Sequence, residues 1–111
     1  MKLIIAYVQP IKEGAVTDAL HRLPGVTGAT FSDARGFGHG HGPDADVPEV
    51  VLGTVRRVRV EVLVSDELAH IVAQGIREAA HTGERGDGKV CILAVSATIS
   101  IASGAQDGDA L

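Results

Sequence analysis

Tryptophan is absent from this 111-residue chain, tyrosine occurs once and phenylalanine twice, so aromatic residues make up only 3% of it. A core without large rings has to be built from Val, Ile, Leu and Ala, whose narrow side chains suit a thin layer of helices on a sheet. There is one cysteine, Cys91, which excludes an intramolecular disulfide and fits a reducing compartment. It lies within the apolar run Val90 to Val95 and reads as a small buried hydrophobe. No apolar stretch has the length of a membrane span, and the first residues lack the basic-then-apolar-then-small order of a secretory signal. A cytoplasmic protein without membrane insertion is expected. Basic charge is scarce as well. The net charge is −4, and the single cluster Arg56, Arg57 and Arg59 is interrupted by Val58, so no nucleic-acid partner is expected.

What is present has a clear period. Leu3 to Gln9 is a short apolar run closed by Pro10, which cannot donate to a sheet ladder, and it reads as a strand. From Lys12 the spacing becomes helical, with Val16, Ala19, Leu20 and Leu23 on one face and Pro24-Gly25 as the stop. Thr27 to Phe37 is a weaker strand. Val55 to Val64 is the clearest, with Val58, Val60, Val62 and Val64 on one side and Arg57, Arg59 and Glu61 on the other. Ser65 stands as an N-cap ahead of Asp66 and Glu67, and Leu68, Ile71, Val72, Ile76 and Ala79 supply the apolar stripe of a second helix. Lys89 to Val95 is a fourth strand. Thr98 to Ala102 is a candidate extension of the sheet, and the small polar tail from Ser103 is expected to fray.

The order strand, helix, strand, strand, helix, strand specifies a single α+β domain of the ferredoxin-like βαββαβ type over residues 1–111. Two helices would cover one face of an antiparallel sheet. The other face, together with Ile99 and Ile101, is then left for solvent or a partner. Residues from about 37 to 54 carry Gly, Pro, His and Asp with no apolar period, and they predict a long mobile loop of functional use.

The chemistry-bearing motifs are two. Gly83 to Lys89 has the spacing of a phosphate loop, but Val90 replaces the required Ser or Thr and the segment runs from helix into strand, the reverse of that motif. Glycine-exposed amides beside Lys89 still favour an anion, and a tight helix-to-strand turn accounts for the glycines equally well. The second motif is Gly38-His39-Gly40-His41-Gly42. In an extended segment His39 and His41 face the same way and could share a divalent metal such as zinc, copper or nickel. No nucleophile stands beside a general base in a recognisable arrangement, so an enzyme is not expected.

Thr82-Gly83 followed by Gly86-Asp87-Gly88-Lys89-Val90 resembles the C-terminal signature of the P-II nitrogen regulatory proteins. The Met1-Lys2 opening with Pro10, Gly36-Phe37-Gly38, Val58 to Val62 and the tail Gln106-Asp107 to Leu111 extend the resemblance to all but the central loop. It implies a homotrimer with an adenine nucleotide, ADP or ATP, in the clefts between subunits, and no obligatory cofactor. It also implies a central loop that engages a membrane transporter or a cytosolic enzyme. By position, Gly86, Asp87, Gly88 and Lys89 would hold phosphates. Thr30, Gly36, Glu61, Val62 and Leu63 would line the adenine and ribose side, with Ile5 and Phe37 shaping the cleft. Arg57 stands where the family keeps a lysine near the effector, and Arg56 or Arg57 would supply further phosphate contacts. The departures have consequences. His39-Gly40 replaces an Arg-Gln pair, which removes a ligand for metal-bridged 2-oxoglutarate. Ser100 and Ala102 replace two phosphate-reaching arginines, and the shortened loop has no tyrosine to uridylylate. The alternative to a nucleotide-responsive regulator is a metal-binding member of the family acting through His39 and His41.

Overall fold

The structure is a computed structural model that describes residues 1–38 and 54–111. Pro10 opens a single 3-10 turn, Pro10–Lys12, so the first strand ends as the sequence requires. In chain order the main elements are β1 (Lys2–Val8), α1 (Glu13–Arg22), β2 (Thr30–Gly36), β3 (Val55–Val64), α2 (Ala69–Ala80) and β4 (Lys89–Ala94). The strands form one four-stranded sheet in the order β2-β3-β1-β4, and every neighbouring pair is antiparallel. This is the expected ferredoxin-like βαββαβ architecture, with both helices packed on one face of the sheet.

The period of two in β3 sets the core. Val58, Val60, Val62 and Val64 are all buried, and in register with them Val8, Ala6 and Ile4 of β1 face the same way. The helices close over them with Val16 and Leu20 from α1 and Ala69, Val72, Ile76 and Ala80 from α2. Apart from the partly buried Phe31 of β2, the core is aliphatic. Small residues bring the layers close together. A Cβ on Gly75 would meet Leu23 Cδ1 at 3.1 Å, and one on Gly25, where φ is +87°, would meet Leu68 Cδ1 at 2.5 Å.

Four expectations are corrected. Cys91 is exposed, because the register places it opposite Ile5 on the sheet face that the helices leave open. Ile71 is 55% exposed. The buried stripe of α2 runs through Ala69, Val72, Ile76 and Ala80, one hundred degrees per residue carrying Ile71 past its edge. The Ser65 hydroxyl makes no capping bond. Instead its carbonyl accepts from Leu68 N at 3.2 Å, closing a 3-10 turn over Asp66–Leu68 before α2 begins. The C-terminal segment neither joins the sheet nor lacks structure. It folds back on itself, with Ser100 N donating to Ala105 O at 2.8 Å and Asp107 N to Thr98 O at 2.8 Å, around a single bridge between Ile99 and Gln106.

The two isoleucines of α2 therefore differ in what they contribute. Ile76→Ala is expected to lower unfolding free energy by about 2–5 kcal/mol, the cost of lost transfer plus a cavity. Ile71→Ala should stay within about 0.5 kcal/mol of the parent. Urea denaturation of both variants measures the difference, and equal costs would contradict the burial pattern.

Candidate functional site

The helix-to-strand connection after α2 is a turn held by one carboxylate. Asp87 accepts from Thr82 N at 2.9 Å and Gly83 N at 3.0 Å, and also from the Thr82 hydroxyl. His81 Nδ1 stands 3.5 Å from the same carboxylate, and Gln9 of the β1 end donates to it at 3.4 Å. The Thr82 hydroxyl and the two amides, with His81 adding a smaller attraction, hold the Asp87 pKa below its ordinary 3.8. The oxygens of Asp87 are thus committed to shaping the turn. Its contribution to an anion site is the placement of its neighbours.

Gly88 is where the turn meets the sheet. Its φ is +101°, and a Cβ there would lie 1.8 Å from the Tyr7 carbonyl oxygen. Only glycine lets the turn press onto β1, which fixes the start of β4 and aims Lys89. From the other side Arg57 reaches across, its Nη2 donating to Gly86 O at 3.2 Å while Nη1 donates to Arg56 O at 2.8 Å.

These contacts build a cleft of about 280 Å³ lined by Tyr7, Gly36, Phe37, Arg57, Gly88 and Lys89, with Arg35 and Gly38 at its margin. Tertiary structure brings together segments distant in sequence here: the end of β2, the start of β3 and the glycine-rich turn. Arg56 is exposed and paired with Arg35, on the opposite face from Arg57, and does not line this cleft.

Of the remaining sequence-predicted residues, Thr30, Glu61, Leu63 and Ile5 lie elsewhere on the open face. Thr30, Glu61, Ile5 and Cys91 form one row across β2, β3, β1 and β4. Thr30, Glu61 and Leu63 border a different cleft, of about 490 Å³, together with Leu111. Thr30 and Gly36 mark opposite ends of β2, roughly 20 Å apart at the rise of an extended strand. Val62 is fully buried beneath the helices, so its side chain does not reach this face. His39 and His41 lie outside the described residues. Among those described, no group of three or more His, Cys, Asp or Glu is arranged to hold a metal.

Sequence reading missed three participants. Tyr7 lines the cleft, and Arg59 stacks over its ring at 5.9 Å from the centroid while pairing with Glu61 at 2.7 Å. Gln9 braces the turn. Tyr7 shares the period-two face of Ile5, so its direction was legible from alternation. The reach of Gln9 to a residue 77 positions away was not.

Two outcomes follow from this geometry. Gly88→Ala should cost at least about 1–3 kcal/mol from the left-handed backbone alone, and the contact with the Tyr7 carbonyl adds to that; thermal unfolding reads the loss. For Asp87, a depressed folded pKa means that its support of the turn is complete above the ordinary carboxylate range and is lost as pH falls through the lower, folded value. The Thr82 and Gly83 amide resonances should therefore titrate together with a midpoint below 3.8. That transition should vanish in Asp87→Asn. A midpoint above the ordinary value would contradict the hydrogen bonding described.

The comparisons with known proteins bear on the whole chain. A family model described as Nitrogen regulatory protein P-II matches residues 1–105. Curated proteins named Nitrogen regulatory protein P-II are similar over 113 aligned residues that cover all of both chains. The protein from Azospirillum brasilense is 37% identical, that from Rhodospirillum rubrum 36% and that from Rhizobium meliloti 39%. With the βαββαβ sheet and the Gly86 to Lys89 turn in place, this chain belongs to the P-II family of nitrogen regulatory proteins.

Proposed function

We propose that this regulatory signal protein binds an adenine nucleotide, ADP or ATP, between neighbouring copies in a homotrimer, and passes the state of that site to a membrane transporter or cytosolic enzyme through its central segment. The observation that carries the reading is the division of the expected ligand-contacting residues into two groups. Gly36, Phe37, Arg57, Gly88 and Lys89 share one cleft, whereas Thr30, Glu61 and Leu63 border another. A nucleotide at a subunit boundary would draw one group from each of two copies, with phosphates toward Lys89 and the base toward the Thr30 and Glu61 row. The cleft beside Lys89 also opens at Gly38, next to the central segment, so occupancy there is well placed to bias that segment. The protein acts by binding and not by catalysis.

Positive charge at the phosphate end is limited. The C-terminal hairpin from Thr98 to Gln106 contains no Lys or Arg, which leaves Lys89 and Arg57 as the cationic groups in the cleft apart from Arg35. Each charge-assisted contact is worth about 1.5–3 kcal/mol. ATP should therefore gain little over ADP, with affinities within about tenfold of each other.

Calorimetric titration of ADP, ATP and AMP tests the reading. Saturable heat is expected for ADP and ATP, and Lys89→Ala should weaken binding about 10- to 100-fold. No heat from any of the three would overturn nucleotide binding, and a one-chain mass by sedimentation would overturn the intersubunit site.

A further inference from the structure

Arg59 touches a lining residue of each cleft on the open face. Its guanidinium carbon lies 5.9 Å from the centroid of the Tyr7 ring, and Tyr7 lines the cleft beside Lys89. Its Nε stands 2.7 Å from a Glu61 carboxylate oxygen, and Glu61 lines the cleft beside Thr30. Strand register produces this bridge. Arg59 is directly opposite Tyr7 of β1, and Glu61 lies two residues further along β3 on the same face.

The two contacts differ in kind. The Arg59 Nε is closed off from solvent, yet its N–H is not aligned on the carboxylate as a hydrogen bond. Glu61 is thus held by charge while its lone pairs stay available. Among the described residues it accepts no hydrogen bond. It also carries the only ionisable side chain lining its cleft. A lone carboxylate there would repel a phosphate-bearing ligand. With Arg59 against it the pair is neutral, and Glu61 can still accept from a hydroxyl or an amino group. The Tyr7 ring gives the guanidinium a face to rest on, which restricts a side chain that would otherwise have much rotamer freedom. The two side chains of the ion pair are 37% and 36% exposed, so the pair adds little to fold stability. Its use lies in what it holds in place.

We propose that Arg59 is a positioning residue for the ligand: anchored on Tyr7 at one cleft, it fixes and neutralises Glu61 at the other, where Glu61 accepts from the nucleoside. This rests on the nucleotide reading above and extends it. A residue of the phosphate-side cleft then governs affinity at the base-side cleft.

Calorimetry of the full chain with ADP and with adenosine, which carries no phosphate, tests the assignment. Arg59→Gln should weaken both ligands by the same factor, about tenfold or more. In a Glu61→Gln background the same change should cost less than about twofold, because the group it positions has lost its charge. Tyr7→Leu should also weaken adenosine, and Tyr7→Phe, which keeps the ring, should weaken it less. Tyr7 is the chain's only tyrosine and tryptophan is absent. Tyrosine emission of the ligand-free protein therefore reports the stack directly, and it should change in Arg59→Gln. Equal losses in both backgrounds, an effect on ADP without one on adenosine, or unchanged emission would overturn the inference. A smaller sedimentation mass for Arg59→Gln than for the parent would also overturn it, marking Arg59 as an assembly residue. No heat from ADP or adenosine with the parent removes the nucleotide reading and this inference together. Parent binding with additive losses removes this inference alone.

Discussion

Two helices cover one face of the sheet, and the side-chain period of two transmits that asymmetry to every strand residue. Val58, Val60, Val62 and Val64 are sealed beneath α1 and α2, which commits Arg57, Arg59, Glu61 and Leu63 to the opposite face. The same rule commits Tyr7 and Ile5 of β1 and Lys89 and Cys91 of β4 to that face through their ladder partners. Burying the valines is the main favourable term in a core with so little aromatic surface. A one-residue slip of β3 would expose them and bury charges, so the hydrophobic pattern holds the register, and the register places the candidate site.

The glycine-rich turn shows how backbone conformation and electrostatics share one task. Positive φ at Gly83, Gly86 and Gly88 lets the chain reverse within a few residues, and the Asp87 carboxylate collects the donors that such a reversal would otherwise leave unpaired. A negatively charged group within a motif associated with phosphates looks paradoxical until its partners are counted. The Asp87 carboxylate stays ionised and its oxygens are occupied by donors from Thr82 and Gly83, with His81 beside them, while Arg57 and Lys89 line the cleft on the open face. The turn thus sets a structural anion apart from Lys89, which borders the cleft at its other end.

Much of the fold is legible in the amino-acid sequence. The span of β3, the stop after α1 at Pro24-Gly25 and the βαββαβ order follow from period and punctuation, which are local properties. The misreadings share a different cause. Cys91 and Ile71 are apolar residues in apolar company, and composition alone puts them inside. Their exposure depends on which face a second element covers, which no window of sequence contains. The C-terminal segment was misjudged because its order comes from contacts between Thr98 to Ser100 and Ala105 to Asp107, made by small polar residues that carry no hydrophobic signal.

The candidate site divides along the same line. The amino-acid sequence by itself determined the types of group available: glycines that permit a sharp turn, Lys89 beside them, Arg57 on a polar strand face and an alternation that aims each of them. Those are consequences of steric freedom, charge and the two-residue repeat, and they need no partner. Tertiary structure alone decided that Gly36 and Phe37 share a cleft with Gly88 and Lys89, that Arg56 is turned away from it, and that Thr30, Glu61 and Leu63 gather around another. It alone disclosed that Gln9 braces the turn. Convergence of distant segments is set by strand order and crossover packing, and proximity of that kind is a property of the folded whole.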